Sequence, residues 1–235
     1  MPTFTTFAKK LRNGYKPIVT ATDIAFATSG HVISATTTNF LQAGFRPGDV
    51  VLVSGADEAG NNAYLTIVSV AANGLSMTVS EALTDDAAGS SVTIACAGGK
   101  GLEQIFHRGV VCAYEGTAPT DPDAAITHKL ICKFTASGLT FTPGAAANGF
   151  LWEQALNGVI PTCRVDDAQV IAGESEASGT IGFYVIYDNA YDATNHANAV
   201  RCILSRSELE LLSGSLTVGA SGVPLKLSYL YLAAQ

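Results

Sequence analysis

From His31 to Cys96 the chain repeats one pattern, short runs of four to seven residues rich in Val, Ile and Thr, whose period is that of strands: HVISATT, DVVLVSG, YLTIVSV, LSMTVSE and SVTIACA. Alternation with a period of two puts successive side chains on opposite faces of a strand, and β-branched residues fit that pleated surface. Turn-forming stretches separate the runs: Arg46 to Asp49 with Pro47 and Gly48, Asp57 to Asn62, Ala72 to Gly74, and Asp85 to Ser90. Gly and Asn supply positive φ there, Pro a preset φ, and Asp a side chain that bonds its own backbone. A chain punctuated this way folds as hairpins. The expectation for residues 29–97 is a small β-barrel or sandwich.

At Gly98, Gly99, Lys100 and Gly101 the packing material disappears, which marks a domain boundary. Beyond it strand-like runs resume, among them FHRGVVCAYEG, THKLICKFTA, GLTFT, GFLWEQA, TCRVDDAQVI, GTIGFYVIYDN, AVRCILS, GSLTVG and VPLKLSYLYLA. None is regularly followed by a helical pattern of about 10 to 15 residues, which argues against βαβ architecture. The chain therefore reads as all-β, with a Greek-key or jelly-roll-like β-sandwich over 98–235. In the last run, both parities turn apolar towards the end, which predicts a strand covered on both sides and makes Tyr229 and Tyr231 candidate subunit contacts.

Residues 1–28 read as an N-terminal arm. Phe4, Phe7 and Leu11 fall on one helical face, and Asn13, Gly14 and Pro17 end the helix after one or two turns. Charge is uneven: Lys9, Lys10, Arg12 and Lys16 give the first 16 residues a charge of +4, although the whole chain carries −7. The remainder, with 9 basic and 20 acidic residues, is at −11. A basic arm beside an acidic body suits a neighbouring subunit or a partner protein better than nucleic acid, whose phosphates that body repels. Phe4, Phe7, Lys9, Lys10 and Arg12 are thus candidate subunit contacts.

Composition sets the outer bounds. With 48% apolar and 14% charged residues and a mean hydropathy of +0.28, the chain has material for a large core, which excludes wholesale disorder. No apolar run approaches the roughly 18 residues of a membrane-spanning helix. The first residues place charge after apolar positions, the reverse of an export signal, so none is expected. Five cysteines, Cys96, Cys112, Cys132, Cys163 and Cys202, have no Cys-x-x-Cys spacing. Buried thiols are expected, and the odd count fits a cytoplasmic assembly environment.

Gly173, Glu174, Ser175 and Glu176 begin a nucleophile-elbow look-alike, but Ala177 stands where glycine is needed. The Gly98 to Gly101 segment lacks the spacing and hydroxyl of a phosphate loop and reads as a hinge. His31, His107, His128 and His196 have no metal-binding spacing. Asp188 with Asn189 and Asp192 offers oxygen ligands without a calcium-loop order, and an Asx-capped turn accounts for them; paired carboxylates such as Asp166 with Asp167 could serve glycoside hydrolysis only as two facing groups in a cleft, a geometry the sequence does not offer. The expectation is a noncatalytic protein without metal or cofactor. Trp152, Tyr184, Tyr187 and Tyr191 invite two readings, a sandwich core or an aromatic ligand platform, and make Tyr187 and Tyr191 candidate ligand contacts.

Two stretches carry a resemblance. Residues 39–95, with Asn39, Phe40, Ala43, Gly44, Phe45, Pro47, Gly48 and Asp49 leading into VVLVSG, YLTIVSV and SVTIA, resemble small β domains of tailed-bacteriophage head and tail components. Residues 107–232, with GVVCAYEGTAPTDPDAA, GLTFTPGAAANGFLWE, the segment Gly179 to Tyr184 and a terminal alternating strand, resemble a β-rich virion accessory module, although Cys112, Cys132 and Cys202 depart from its usual pattern. The resemblance implies a virion structural protein of capsid, neck or tail, assembled in the host cytoplasm. Its implied partners are copies of itself and the major capsid, neck or tail subunits, with no membrane. A receptor- or glycan-binding β module of a phage tail is the alternative.

Overall fold

A computed structural model describes residues 2–145, 149–155, 162–166, 168–194 and 199–233, and these form an all-β protein. The chain opens with β1 (Thr3–Phe4) and α1 (Thr6–Arg12). It continues through β2 (Ile18–Ala21), β3 (Ala25–Ala27), β4 (Val32–Ser34), α2 (Phe40–Ala43), β5 (Val50–Ser54), β6 (Tyr64–Val70), β7 (Ser76–Val79) and β8 (Val92–Cys96). The seven strands β2 to β8 form one antiparallel sheet in the order β2-β8-β5-β6-β7-β4-β3. Its two edge strands, β2 and β3, are joined by residues 22–24 alone. So short a link spans at most about 14 Å, whereas seven flat strands would separate the edges by about 29 Å. The sheet therefore curls into an open barrel, and a bulge in β6 between Ile67 and Ser69 helps it turn. Inside lie Ile33, Phe40, Phe45, Val51, Leu65 and Ile94, each essentially inaccessible.

Asp23 fastens that closure. In the β2–β3 link its Oδ2 accepts hydrogen bonds from the backbone amides of Thr36, Thr37 and Thr38 at 3.1, 2.7 and 3.0 Å, and its Oδ1 from the Thr38 hydroxyl at 2.6 Å. The Thr38 hydroxyl and the Thr37 amide hold this carboxyl well below the ordinary carboxylate range.

The larger unit begins with α3 (Leu102–Phe106) and comprises β9 (Val110–Glu115), β10 (Leu130–Ala136), β11 (Trp152–Ala155), β12 (Thr162–Val165), β13 (Ile171–Glu174) and β14 (Gly179–Tyr187). It ends with β15 (Arg201–Ser205), β16 (Leu211–Ser213), β17 (Thr217–Val218), β18 (Pro224–Leu227) and β19 (Tyr231–Ala233). A nine-stranded antiparallel sheet runs β1-β15-β14-β9-β10-β13-β18-β16, with β17 on β14, and β11-β12-β19 form a separate three-stranded sheet. The large sheet is covered on both faces. Val111, Tyr184, Ile186 and Leu204 pack with α1, α3 and the small sheet, whereas Val110, Phe183, Val185 and Tyr187 pack on the other side with Ile126, Phe141 and Tyr191.

Three sequence expectations change here. Residues 1–28 are not an arm: β1 pairs with β15 in the large sheet, while β2 and β3 belong to the barrel. The apolar face that predicted a helix is satisfied within the chain, because Phe4, Ala8 and Leu11 are buried beside Phe106. The glycine-rich segment at 98–101 is no free hinge, since the buried Lys100 ammonium pairs with Asp49 at 2.6 Å and donates to the Gly44 carbonyl at 3.1 Å. The terminal run is two strands rather than one: β18 ends the large-sheet pairing at Leu227, and β19 joins the three-stranded sheet. Leu225 and Leu227 are buried, as are Leu230 and Leu232, because the chain changes sheets between the two pairs.

Candidate interaction surfaces

The N-terminal candidates are held down by their own chain. The ring centroids of Phe4 and Phe106 lie 6.2 Å apart, and the Arg12 guanidinium sits 5.5 Å above the Phe4 ring. Phe7 packs edge-on to Tyr15, whose other contact is the Lys10 ammonium at 4.0 Å from the ring centroid. Phe7 also presses on Gly44, the left-handed C-cap of α2 at φ +101°, where an added Cβ would stand 3.0 Å from the ring. Lys9 is exposed. The amide and hydroxyl of Thr6 both bond the Asp123 carboxylate, which fixes the start of α1. Of the five, Phe4 is removed from any external contact by burial.

Tyr187 and Tyr191 form no platform. Both are buried, their ring centroids 4.6 Å apart, and the Tyr187 hydroxyl shares a 3.1 Å hydrogen bond with that of Tyr114. Burial drives the phenols of Tyr114, Tyr187 and Tyr191 above their ordinary range. A ring enclosed by Phe141, Cys112 and Val185 cannot stack on a sugar, so the core reading holds for this pair. Trp152 and Tyr184 are buried as well.

Asp188 has a structural task. Its carboxylate receives the Arg46 Nε at 2.7 Å and Nη2 at 2.6 Å, and the amides of Ala190 and Val200 at 3.2 and 3.0 Å. Arg46 Nη1 donates in turn to the carbonyls of Leu41 and Phe45. Burial pushes the Asp188 carboxyl up against the pull of the guanidinium and the amides. This pair joins the barrel to the large unit, and within the large unit the neighbouring Asn189 donates to the carbonyls of Arg108 and Ala145. Both halves are far apart in sequence, so neither motif reading of Asp188 could find it.

Cys96, Cys112 and Cys132 are buried thiols pushed up to about 12 by desolvation, a form with little nucleophilic character, and Cys202 is buried as well. The side chain of Cys163 lies outside the described residues, as do Asp167, His196 and the side chain of Tyr231. Among the described residues no group of three or more His, Cys, Asp or Glu is placed to hold a metal ion. No helix among them is long and apolar enough to cross a membrane.

Among the described residues, two surfaces gather exposed apolar side chains. The first surrounds Tyr229, which is 50% exposed and borders two adjoining grooves of about 410 and 170 Å³. Leu211, Leu216 and the carboxylates of Glu208 and Glu210 line the larger, and Val170 and Leu212 the smaller. The latter two are exposed, and Leu212 lies on β16, the edge of the large sheet.

The second surface escaped the sequence reading. It is the outer face of β2, β8, β5 and β6. Residues paired across these strands line up in a row, Ile18 with Ala95, Ala95 with Leu52, Leu52 with Tyr64. Ile18, Leu52 and Tyr64 are 50%, 38% and 63% exposed. On one side runs a polar, uncharged row, Thr20, Thr93 and Ser54, in which the two threonine hydroxyls bond at 2.8 Å. On the other side Ala97 donates its amide to Val50, and Val50 pairs with Thr66. Charge enters this third row only at its ends. The Lys16 ammonium bonds the Ala97 carbonyl at 3.0 Å, and Glu81 accepts from the Thr66 amide at 2.7 Å and hydroxyl at 3.0 Å. Partial burial pushes the Glu81 carboxyl up, but the Thr66 bonds outweigh it and hold the group below its ordinary value, ionised at neutral pH. Such a face is unusual, because the outside of an antiparallel sheet is normally its polar side.

The fold and these surfaces define an all-β protein with exposed apolar patches at the barrel face and around Tyr229. Comparison of the chain with protein-family models, curated proteins and solved structures finds no match.

Proposed function

We propose that this chain is a noncatalytic structural subunit of a tailed-phage particle, which associates with copies of itself and with capsid, neck or tail proteins. The observation that supports this reading is the outer face of β2, β8, β5 and β6, where Ile18, Leu52 and Tyr64 stand exposed in one row. Leaving such side chains in water forgoes about 25 cal/mol per Å² of apolar surface. A subunit recovers that energy on assembly, and symmetry repeats the gain at every copy. The Tyr229 grooves supply a second surface, as a subunit that joins unlike neighbours requires.

Mass spectrometry of purified particles, followed by electron cryomicroscopy, tests the proposal. The chain is expected in stoichiometric, repeated copies. Its absence from particles produced by a host in which it is expressed overturns the reading.

A further inference from the structure

We propose that the outer face of β2, β8, β5 and β6 binds a second copy of this chain face to face, about a two-fold axis that runs along the strands between β8 and β5. The inference rests on the assembly reading above and adds the partner, the face and the register.

The face is complementary to itself. Such an axis reverses the order of the strands, so that β8 of one copy lies over β5 of the other and β2 over β6. In the central row, Ala95 then faces Leu52 of the second copy, and Ile18 faces Tyr64. In the neighbouring row Ala97 faces Val50. Ala95 on β8 and Ala97 just beyond it thus each meet a larger residue on β5, which lets the layers interdigitate as packed sheets do. At the ends of that row Lys16 meets Glu81 of the second copy, twice by symmetry. The Lys16 ammonium spends one of its three donors on Ala97 and keeps two for this contact. The Glu81 carboxylate accepts from the Thr66 amide and hydroxyl, the Ser80 hydroxyl and its own amide, bonds that hold it ionised and fixed in place, so its contribution to this contact is its charge. An unrelated partner has no need of a cation and an anion at opposite ends of one row with sizes graded between them. A second copy under an isologous two-fold does.

Area sets the strength. Four strands about 4.8 Å apart and three rows about 6.8 Å apart give roughly 400 Å² per copy. That is about half the surface of a standard stable interface. The isolated dimer is therefore weak, with a dissociation constant in the micromolar range or above, and it becomes persistent where other contacts raise the local concentration.

Sedimentation equilibrium of the full chain, over a concentration series reaching about 1 mM, reads this directly. The wild type is expected to show a reversible monomer–dimer equilibrium. Leu52→Lys, at an exposed position that leaves the core untouched, is expected to weaken the dimer at least about tenfold. Lys16→Glu and Glu81→Lys each weaken it by about fivefold, and the double exchange Lys16→Glu with Glu81→Lys returns it to within about threefold of wild type. Because Glu81→Lys also gives up the Thr66 bonds, Glu81→Gln serves as its folded control, and circular dichroism accompanies every variant. A wild-type chain that stays monomeric throughout overturns the proposal, as does a dimer indifferent to Leu52→Lys or a double exchange weaker than both single variants. The assembly reading fails separately. A chain absent from particles that still dimerises through this face sinks the function alone, whereas a particle protein whose Leu52→Lys variant assembles normally sinks this interface alone.

Discussion

Tyr187 and Tyr64 stand on strands of almost equal apolar character, yet Tyr187 is wholly buried and Tyr64 is 63% exposed. The difference is in what covers each sheet. From Phe183 to Tyr187 every residue of β14 is buried, because α1, α3 and the three-stranded sheet lie on one face and the packing around Ile126, Phe141 and Tyr191 on the other. The barrel closes around its inner face and leaves β2, β8, β5 and β6 bare outside. Similar strand sequences thus serve as core in one unit and as surface in the other. A covered sheet is spent on stability, while an uncovered one remains available for association.

The sharpest way to break the contrast is to remove the tyrosine from each side. Tyr187→Ala is expected to cost about 3–5 kcal/mol in urea unfolding, whereas Tyr64→Ala shifts stability by no more than about 0.5 kcal/mol. Equal costs would erase the distinction between the faces. Cutting the seam comes next: Asp188→Ala removes the carboxylate that meets two nitrogens of the buried Arg46 guanidinium and is expected to cost about 3–5 kcal/mol. Two separated unfolding transitions in calorimetry would show that this pair couples the units.

A smaller effect of opposite sign is expected inside the covered sheet. The Tyr184 hydroxyl is buried with no hydrogen-bond partner among the described residues. Tyr184→Phe should therefore stabilise the protein by about 1 kcal/mol in the same unfolding assay. A loss of stability would show that the hydroxyl is satisfied in solution.

The smallest expected effect concerns how the barrel holds its curl. Asp23 is depressed in the folded state, so its contribution is complete above the ordinary carboxylate value and is lost as pH falls through the folded value. Asp23→Asn is expected to destabilise at pH 7. On acidification to about pH 3, below the unfolded value, the gap between variant and wild type should narrow. A gap that widens with acid would reverse the sign assigned here.

Much of the fold was legible in local pattern. The runs at Val50, Tyr64, Ser76 and Val92 are strands in the barrel, and the α1 helix stops at Asn13, just before Gly14 at φ +91°. The exposed stripe was harder to see, since alternation within β5 gives Val50, Leu52 and Ser54 one face but does not say which face looks inward. Both parities of β5 are apolar, Val51 and Val53 on one side and Val50 and Leu52 on the other. Only strand pairing shows that Leu52 lies between Ala95 and Tyr64. The N-terminal reading misled for a related reason: basic charge and an apolar helical face look alike whether the face meets another subunit or Phe106 of the same chain.

By itself the sequence determined the strand-rich class, the turns between strands and the short capped helix, because these follow from dihedral preference and side-chain periodicity over a few residues. Tertiary structure alone decided that Arg46 meets Asp188, that Tyr187 and Tyr191 lie in a core, and that a nearly uncharged face is left in solvent. Those outcomes depend on which elements cover which faces. Coverage joins residues more than a hundred positions apart, a distance over which local propensity carries no information.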